Sequence, residues 1–136
     1  MPRTFFDTNI LVYAEDASDP VKQQKAIALY EEHRRKGTGV VSLQVLQEYF
    51  VNVTRKMKLD PQIARRKIEL LSALDVAEPG LADILAAIDL HRLHGLSFWD
   101  ALVVHMAKRA GCRVVLSEDL NHGQMIAGVR IVNPFV

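Results

Sequence analysis

The placement of short β-branched and aromatic runs most narrowly limits what this chain can become. Residues 4–6, 39–42, 113–116 and 129–132 each read as one short buried strand. Helix-period segments fill the intervals between the first three. Parallel strands need long crossovers, and helices supply them. The alternation therefore predicts an α/β fold with a mainly parallel central sheet. In such folds ligands gather beyond the carboxyl ends of the strands, so residues directly after a strand carry the chemistry.

The helix boundaries are marked locally. Ser18-Asp19-Pro20 opens a helix with Asp19 as N-cap and Pro20 at the first helical position. That helix carries Val21, Ile27, Leu29 and Tyr30, and it ends in Arg34-Arg35-Lys36-Gly37, a cationic last turn followed by glycine. Ser42 caps the next, with Leu43, Leu46, Phe50, Val53 and Met57 as the expected apolar stripe. Asp60-Pro61 starts another, with Ile63, Ile68, Leu71 and Leu74 as its apolar positions. Pro79-Gly80 precedes Leu81, Ile84, Leu85 and Ile88, again at helical spacing. Gly95 closes that helix and Ser97 opens one that is apolar almost all round.

At 136 residues a single domain, 1–136, is expected. A net charge of +1 excludes a strongly basic body that would hold phosphates by bulk charge. The lone cysteine, Cys112, cannot form an internal disulfide and reads as a small buried residue, which suits a reducing, cytoplasmic setting. No apolar stretch approaches a membrane span, and charges at Arg3 and Asp7 interrupt any signal-like region. The Asn52-Val53-Thr54 sequon is read as chance.

Against this frame stand four acidic patches: Phe6-Asp7-Thr8-Asn9, Gln47-Glu48-Tyr49, Phe98-Trp99-Asp100-Ala101 and Leu116-Ser117-Glu118-Asp119-Leu120. Burying an unpaired carboxylate is expensive, but several that converge on a hard divalent cation offset that cost and supply hydrolytic chemistry. Each also has a plainer reading. Asp7 or Asn9 can cap the apolar segment 10–13. Ser97 and Asp100 match a capping pattern, S-x-x-D; a first-turn carboxylate can serve both ends. Glu48 lies opposite the predicted apolar stripe, as a solvated glutamate would. Asp119 can be a turn residue, and Glu118 can take its place as ligand, although neighbours on an extended segment point opposite ways. Ser117 shares a face with Asp119. The five histidines show no zinc-type spacing; His105 reads as a core histidine with a hydrogen-bond partner, and His122, near Asp119, alone has a functional case.

Taken in order, Asp-Thr-Asn after the first strand, Glu48 on a middle helix, Trp-Asp-Ala at a late helix start and Ser-x-Asp after the next strand resemble a PIN domain. The tail, with Leu116-Ser117-Glu118-Asp119-Leu120, Gly123-Gln124 and Ile131-Val132-Asn133-Pro134-Phe135, is similar to the VapC-type endoribonuclease toxins of type II toxin–antitoxin systems. The resemblance runs from residue 5 to residue 135. It implies a three-layer α/β/α fold and a metal site of Asp7, Glu48, Asp100 and Asp119, with Asn9 and Ser117 as supporting polar residues. It also implies RNA as substrate, a homodimer, a cognate antitoxin that occludes the active site, and contact with DNA only through that antitoxin.

An all-oxygen donor set without thiolates suits Mg²⁺, with Mn²⁺ able to substitute. Grip on RNA must come from local clusters, namely Arg34-Arg35-Lys36, Arg55-Lys56-Lys58 or Arg65-Arg66-Lys67, at least one of which should border the acidic cleft. A phosphatase of the haloacid-dehalogenase type is disfavoured because Asn9 stands where its second aspartate would be. A housekeeping PIN-domain RNA-processing nuclease and a non-catalytic RNA-binding module are the remaining alternatives.

Overall fold

The computed structural model describes residues 2–136. In chain order its elements are β1 (Arg3–Phe6), α1 (Thr8–Tyr13), α2 (Pro20–Lys36), β2 (Gly39–Ser42), α3 (Leu43–Arg55), α4 (Pro61–Leu71), β3 (Asp75–Ala77), α5 (Leu81–His94), α6 (Phe98–Arg109), β4 (Cys112–Leu116), β5 (Met125–Ile126) and β6 (Val129–Val132). The six strands form one sheet in the order β3-β2-β1-β4-β6-β5. Every pairing is parallel except β5 with β6, so the sheet is mainly parallel, as the alternation of segments predicts.

That strand order positions the site. The chain lays β2 and β3 on one side of β1, then crosses to lay β4 and β6 on the other. Right-handed crossovers in opposite directions place helices on both faces, giving an α/β/α sandwich. They also leave a crevice at the carboxyl ends of β1 and β4, where the order reverses. Phe6 pairs with Leu116 across this junction, so Asp7 and Ser117 leave the sheet side by side. Beneath them lie Phe5, Phe6, Val40, Val41, Val115 and Ile131, all fully buried.

Capping chemistry sets the helices much as the sequence predicts. Asp19 accepts from the Lys22 amide at 3.2 Å to start α2, which closes at Gly37 with φ 68°. Ser42 accepts from the Val45 amide and opens α3 directly from β2. A buried polar cluster binds α5 to α6: Asp83 accepts from the Gly80 amide at 2.8 Å and contacts His105 Nε2 at 2.8 Å and Arg109. His105 is thus held by a carboxylate at the edge of the core.

Several elements depart from the sequence expectation. The strands β3 and β5 lack the apolar run that marks the others, since Asp-Val-Ala and Met-Ile are ordered by their neighbours rather than by their own propensity. On α2, only Ala26 and His33 are buried, and Val21 faces solvent. On α3, the buried face runs through Val45, Leu46, Tyr49 and Val53, with Leu43 on its exposed edge. On α5 the expected core stripe is reversed: Asp83 and Ala87 face inward, while Leu81, Ile84, Leu85 and Ile88 face out.

Candidate active site

Asp7 forms the floor of a cleft of about 500 Å³ at the carboxyl ends of β1 and β4. It is also the N-cap of α1, because its Oδ1 accepts from the Thr8 amide at 2.8 Å. The structure therefore satisfies the capping reading of Asp7 with one oxygen and leaves the other for the cleft. That second oxygen accepts from the Ser117 hydroxyl at 2.8 Å. The Asn9 amide reaches Asp119 Oδ2 at 3.1 Å and approaches Asp7 Oδ2 and Ser117 Oγ at 3.4 Å. Asn9 Oδ1 in turn accepts from the Glu118 amide at 3.0 Å, and Ser117 Oγ accepts from the Asp119 amide at 3.2 Å. Asn9 and Ser117 thus brace two carboxylates that come from loops more than a hundred residues apart.

The turn after β4 separates Glu118 from Asp119. Glu118 bonds Lys22 Nζ at 2.6 Å and the Tyr13 hydroxyl at 2.7 Å, so its charge is already compensated. Asp119 has no cation and faces Asn9. The structure therefore favours Asp119 over Glu118 as the free carboxylate of that turn. His122 is further along, where its Nδ1 accepts from the Asn133 amide at 3.0 Å, and it does not line the cleft.

Helix α3 forms the opposite wall. Gln44, Glu48, Asn52 and Lys56 recur every four residues and all line the cleft, making a polar stripe along one helix face. The stripe that places Glu48 away from the core leaves it exposed, on the wall of the cleft. The start of α6 supplies the third wall. Ser97 Oγ accepts from the Asp100 amide at 3.1 Å as N-cap, and the Asp100 side chain projects from this first turn into the cleft with Trp99 beside it. Asp7, Glu48, Asp100 and Asp119 therefore arrive from four different elements.

Electrostatically the site is unbalanced. No ion pair among the described residues involves any of these four carboxylates. Burial raises the pKa of Asp7 from 3.8 to about 6; the Ser117 and Thr8 hydrogen bonds pull it down, and the charges of Glu48 and Asp119 push it up again. A buried carboxylate that resists ionising, ringed by others and lacking a cationic side chain, matches the donor chemistry of a hard divalent ion. As positioned, no three His, Cys, Asp or Glu side chains among the described residues close around one point.

The basic clusters divide. Arg34 and Lys36 pair with Glu31 and Glu32, and Arg65 and Lys67 pair with Glu69 and Glu15. Lys56 alone among these residues lines the cleft, so the cluster at Arg55-Lys56-Lys58 is the one that borders it. Several residues of the cleft carry no functional signal of their own in the sequence, Gln44 and Thr8 among them. Gln44 and Thr8 are both buried against the cleft, and the only sequence signal was the four-residue spacing of Gln44 from Glu48.

The model for the PIN domain family matches residues 4–125. The chain belongs to the PIN-domain family. No curated protein is significantly similar to it in sequence. Among solved structures it is similar to Mycobacterium tuberculosis VapC20, a sarcin–ricin-loop-cleaving toxin, with a TM-score of 0.71 and 20% identity over 85% of this chain and 91% of that one. A toxin–antitoxin complex from Klebsiella pneumoniae matches with a TM-score of 0.71 and 19% identity over 96% of this chain and 97% of that one. DNA-bound VapBC from Salmonella typhimurium gives 0.70 and 17% over 96% and 97%.

The raised pKa of Asp7 has a consequence for stability without metal. Between 3.8 and about 6 the folded chain holds a proton that the unfolded chain has released, so stability falls as pH rises through that window. Asp7→Asn removes this dependence. In EDTA above pH 6 the variant should be more stable than the parent by roughly 2 kcal/mol, after allowance for the poorer acceptor geometry of an amide. Urea unfolding from pH 4 to 8 measures it. Parallel pH profiles for the two proteins would show that Asp7 is not a buried, strained charge.

Proposed function

We propose that this chain is a metal-dependent endoribonuclease that hydrolyses RNA phosphodiester bonds and acts as the toxin of a toxin–antitoxin pair. One observation carries the reading: four carboxylates without cationic partners, contributed by four separate elements, line one cleft at the switch point of a parallel sheet. Asp7, Glu48, Asp100 and Asp119 are the proposed metal and catalytic residues, with Asn9 and Ser117 fixing the orientation of Asp7 and Asp119. Mg²⁺, with Mn²⁺ as substitute, would supply the charge that activates water and stabilises the phosphodiester transition state.

The chain's own groups account for the remaining requirements. Lys56, at the end of the α3 stripe, offers a cation to a phosphate that the carboxylates would otherwise repel. Trp99, 61% exposed on the cleft wall and held edge-on by Phe98 at a ring separation of 5.1 Å, offers a flat face on which an unpaired base can stack. An open cleft floored by a buried acid fits an extended strand better than a small enclosed substrate.

The toxin assignment is supported by the company the fold keeps: a toxin that cleaves the sarcin–ricin loop, a toxin–antitoxin complex and a DNA-bound VapBC assembly. By that likeness the chain would be inhibited by a cognate antitoxin and would meet DNA only through it. The outward face of α5 supports a homodimer. Leu81, Ile84, Leu85 and Ile88 form an apolar strip on one helix, the kind of surface that is self-complementary about a two-fold axis. Among the described residues no helix is long and apolar enough to cross a membrane.

Two outcomes follow. Purified protein should cut a total RNA pool into discrete fragments with Mg²⁺ or Mn²⁺, and Asp7→Asn or EDTA should reduce that cleavage at least a hundredfold, on the order of the loss expected when an essential electrostatic group is removed. Gel analysis of the fragments is the measurement, and cleavage that survives both treatments would refute the metal-dependent reading. Separately, Leu85→Asp should shift the protein from dimer to monomer in light scattering while leaving its circular dichroism unchanged. A dimer that persists unaltered would place the interface elsewhere.

A further inference from the structure

Buried polar atoms in folded proteins almost always find a hydrogen-bond partner, so the exceptions are informative. Among the side chains of the described residues there are two such atoms, Thr8 Oγ1 and Gln44 Oε1. Both residues line the acidic cleft, and each stands next to one of its carboxylates in sequence or one helical turn away. Thr8 is 5% exposed and Gln44 is 7% exposed.

The Gln44 amide shows why its carbonyl is left over. Its Nε2 group donates to Glu48 Oε1 at 2.6 Å, along one turn of α3, and to the backbone oxygen of Trp99 at 3.4 Å, across the cleft. Both partners are acceptors only, a carboxylate and a peptide carbonyl. Turning the amide over would set Gln44 Oε1 against both and leave the donors idle. The orientation is therefore dictated by Glu48 and Trp99, and the orphaned carbonyl is its consequence. An apolar side chain of similar size would avoid that orphan and pack equally well. A glutamine at this position makes sense only through what its donors hold.

From this we infer that Gln44 is a positioning residue: it fixes the Glu48 carboxylate and ties α3 to the first turn of α6, where Asp100 begins. Glu48 is exposed, is the only one of the four on a glutamate side chain, and has no side-chain partner other than Gln44 among the described residues. Without the clamp its several rotamers open, and each must be restricted again when an ion binds. The same amide also reaches the Trp99 oxygen of α6 at 3.4 Å, a second contact between two walls that carry carboxylates. This inference rests on the proposed metal-dependent reading and adds a residue to it.

Gln44→Met, which keeps the volume and removes both the donors and the orphan, separates positioning from a structural role. In EDTA its melting temperature should hold or rise, by about 2–4 °C, because a buried unpaired carbonyl is gone. Its Mn²⁺ affinity by calorimetry should fall roughly tenfold or more, the usual effect of losing a group that orients a ligand. In metal-free crystals of the variant Glu48 should occupy more than one rotamer, against one in the parent. Gln44→Ala serves the same comparison if the methionine variant does not fold.

Asp7→Asn, measured alongside, keeps the two levels apart. If Asp7→Asn loses Mn²⁺ binding and Gln44→Met does not, with Glu48 unmoved, the positioning role is overturned and the metal site stands. A Gln44→Met protein that loses melting temperature and Mn²⁺ affinity together assigns Gln44 to structure and also overturns the inference. If the parent itself binds no Mn²⁺, the metal-dependent reading fails, and the rotamers of Glu48 in the metal-free crystals still decide the clamp.

Discussion

The charge on Asp7 is the constraint around which the rest of this structure is arranged. A carboxylate at 6% exposure, with a pKa raised to about 6, would be relieved by protonation or by mutation to a neutral residue if nothing else depended on it. The fold instead surrounds it with donors, Thr8 N and Ser117 Oγ, that make ionisation tolerable without neutralising it. Tolerance without neutralisation fits the proposal that this site takes its positive charge from outside the chain.

Strand order supplies the room for this. Reversal between β1 and β4 opens a crevice directly above Asp7, and the parallel register of Phe6 with Leu116 brings the turn carrying Ser117 and Asp119 within reach of Asn9. The other carboxylates stand on helices capped at their amino ends by Ser42 and Ser97, which fixes where α3 and α6 begin relative to the sheet. Glu118 is withdrawn from the set by Lys22, whose ammonium also lies 4.7 Å from the Tyr13 ring centre. Local capping, sheet topology and side-chain pairing thus each settle a different member of the cleft.

Much of this was legible in the sequence, and the parts that were not share a physical cause. The strands β1, β2, β4 and β6 announced themselves by apolar runs, and Asp7, Asp100 and Asp119 by carboxylates lodged against such runs. Glu48 read as solvated because a helical wheel cannot distinguish water from a cleft; only its spacing with Gln44, Asn52 and Lys56 hints at a shared face. The α5 stripe read as core because apolar periodicity reports which residues shun water, and not whether the protein's own core or a second molecule covers them. Strands β3 and β5 are held by their neighbours, so they carry little signal of their own. Gln44 and Thr8 were invisible for a related reason: an unpaired buried atom is a property of the packed chain.

Whether a cation sits at the floor of this cleft decides what the cleft is for. Crystals soaked in Mn²⁺ and measured at the manganese absorption edge address it directly, since the anomalous signal locates the ion without reference to activity. A peak is expected against Asp7 and Asp119 in the parent protein and none there in Asp7→Asn crystals soaked in the same way. An ion bound elsewhere, or a peak unchanged by the loss of the Asp7 charge, would contradict the metal-dependent reading.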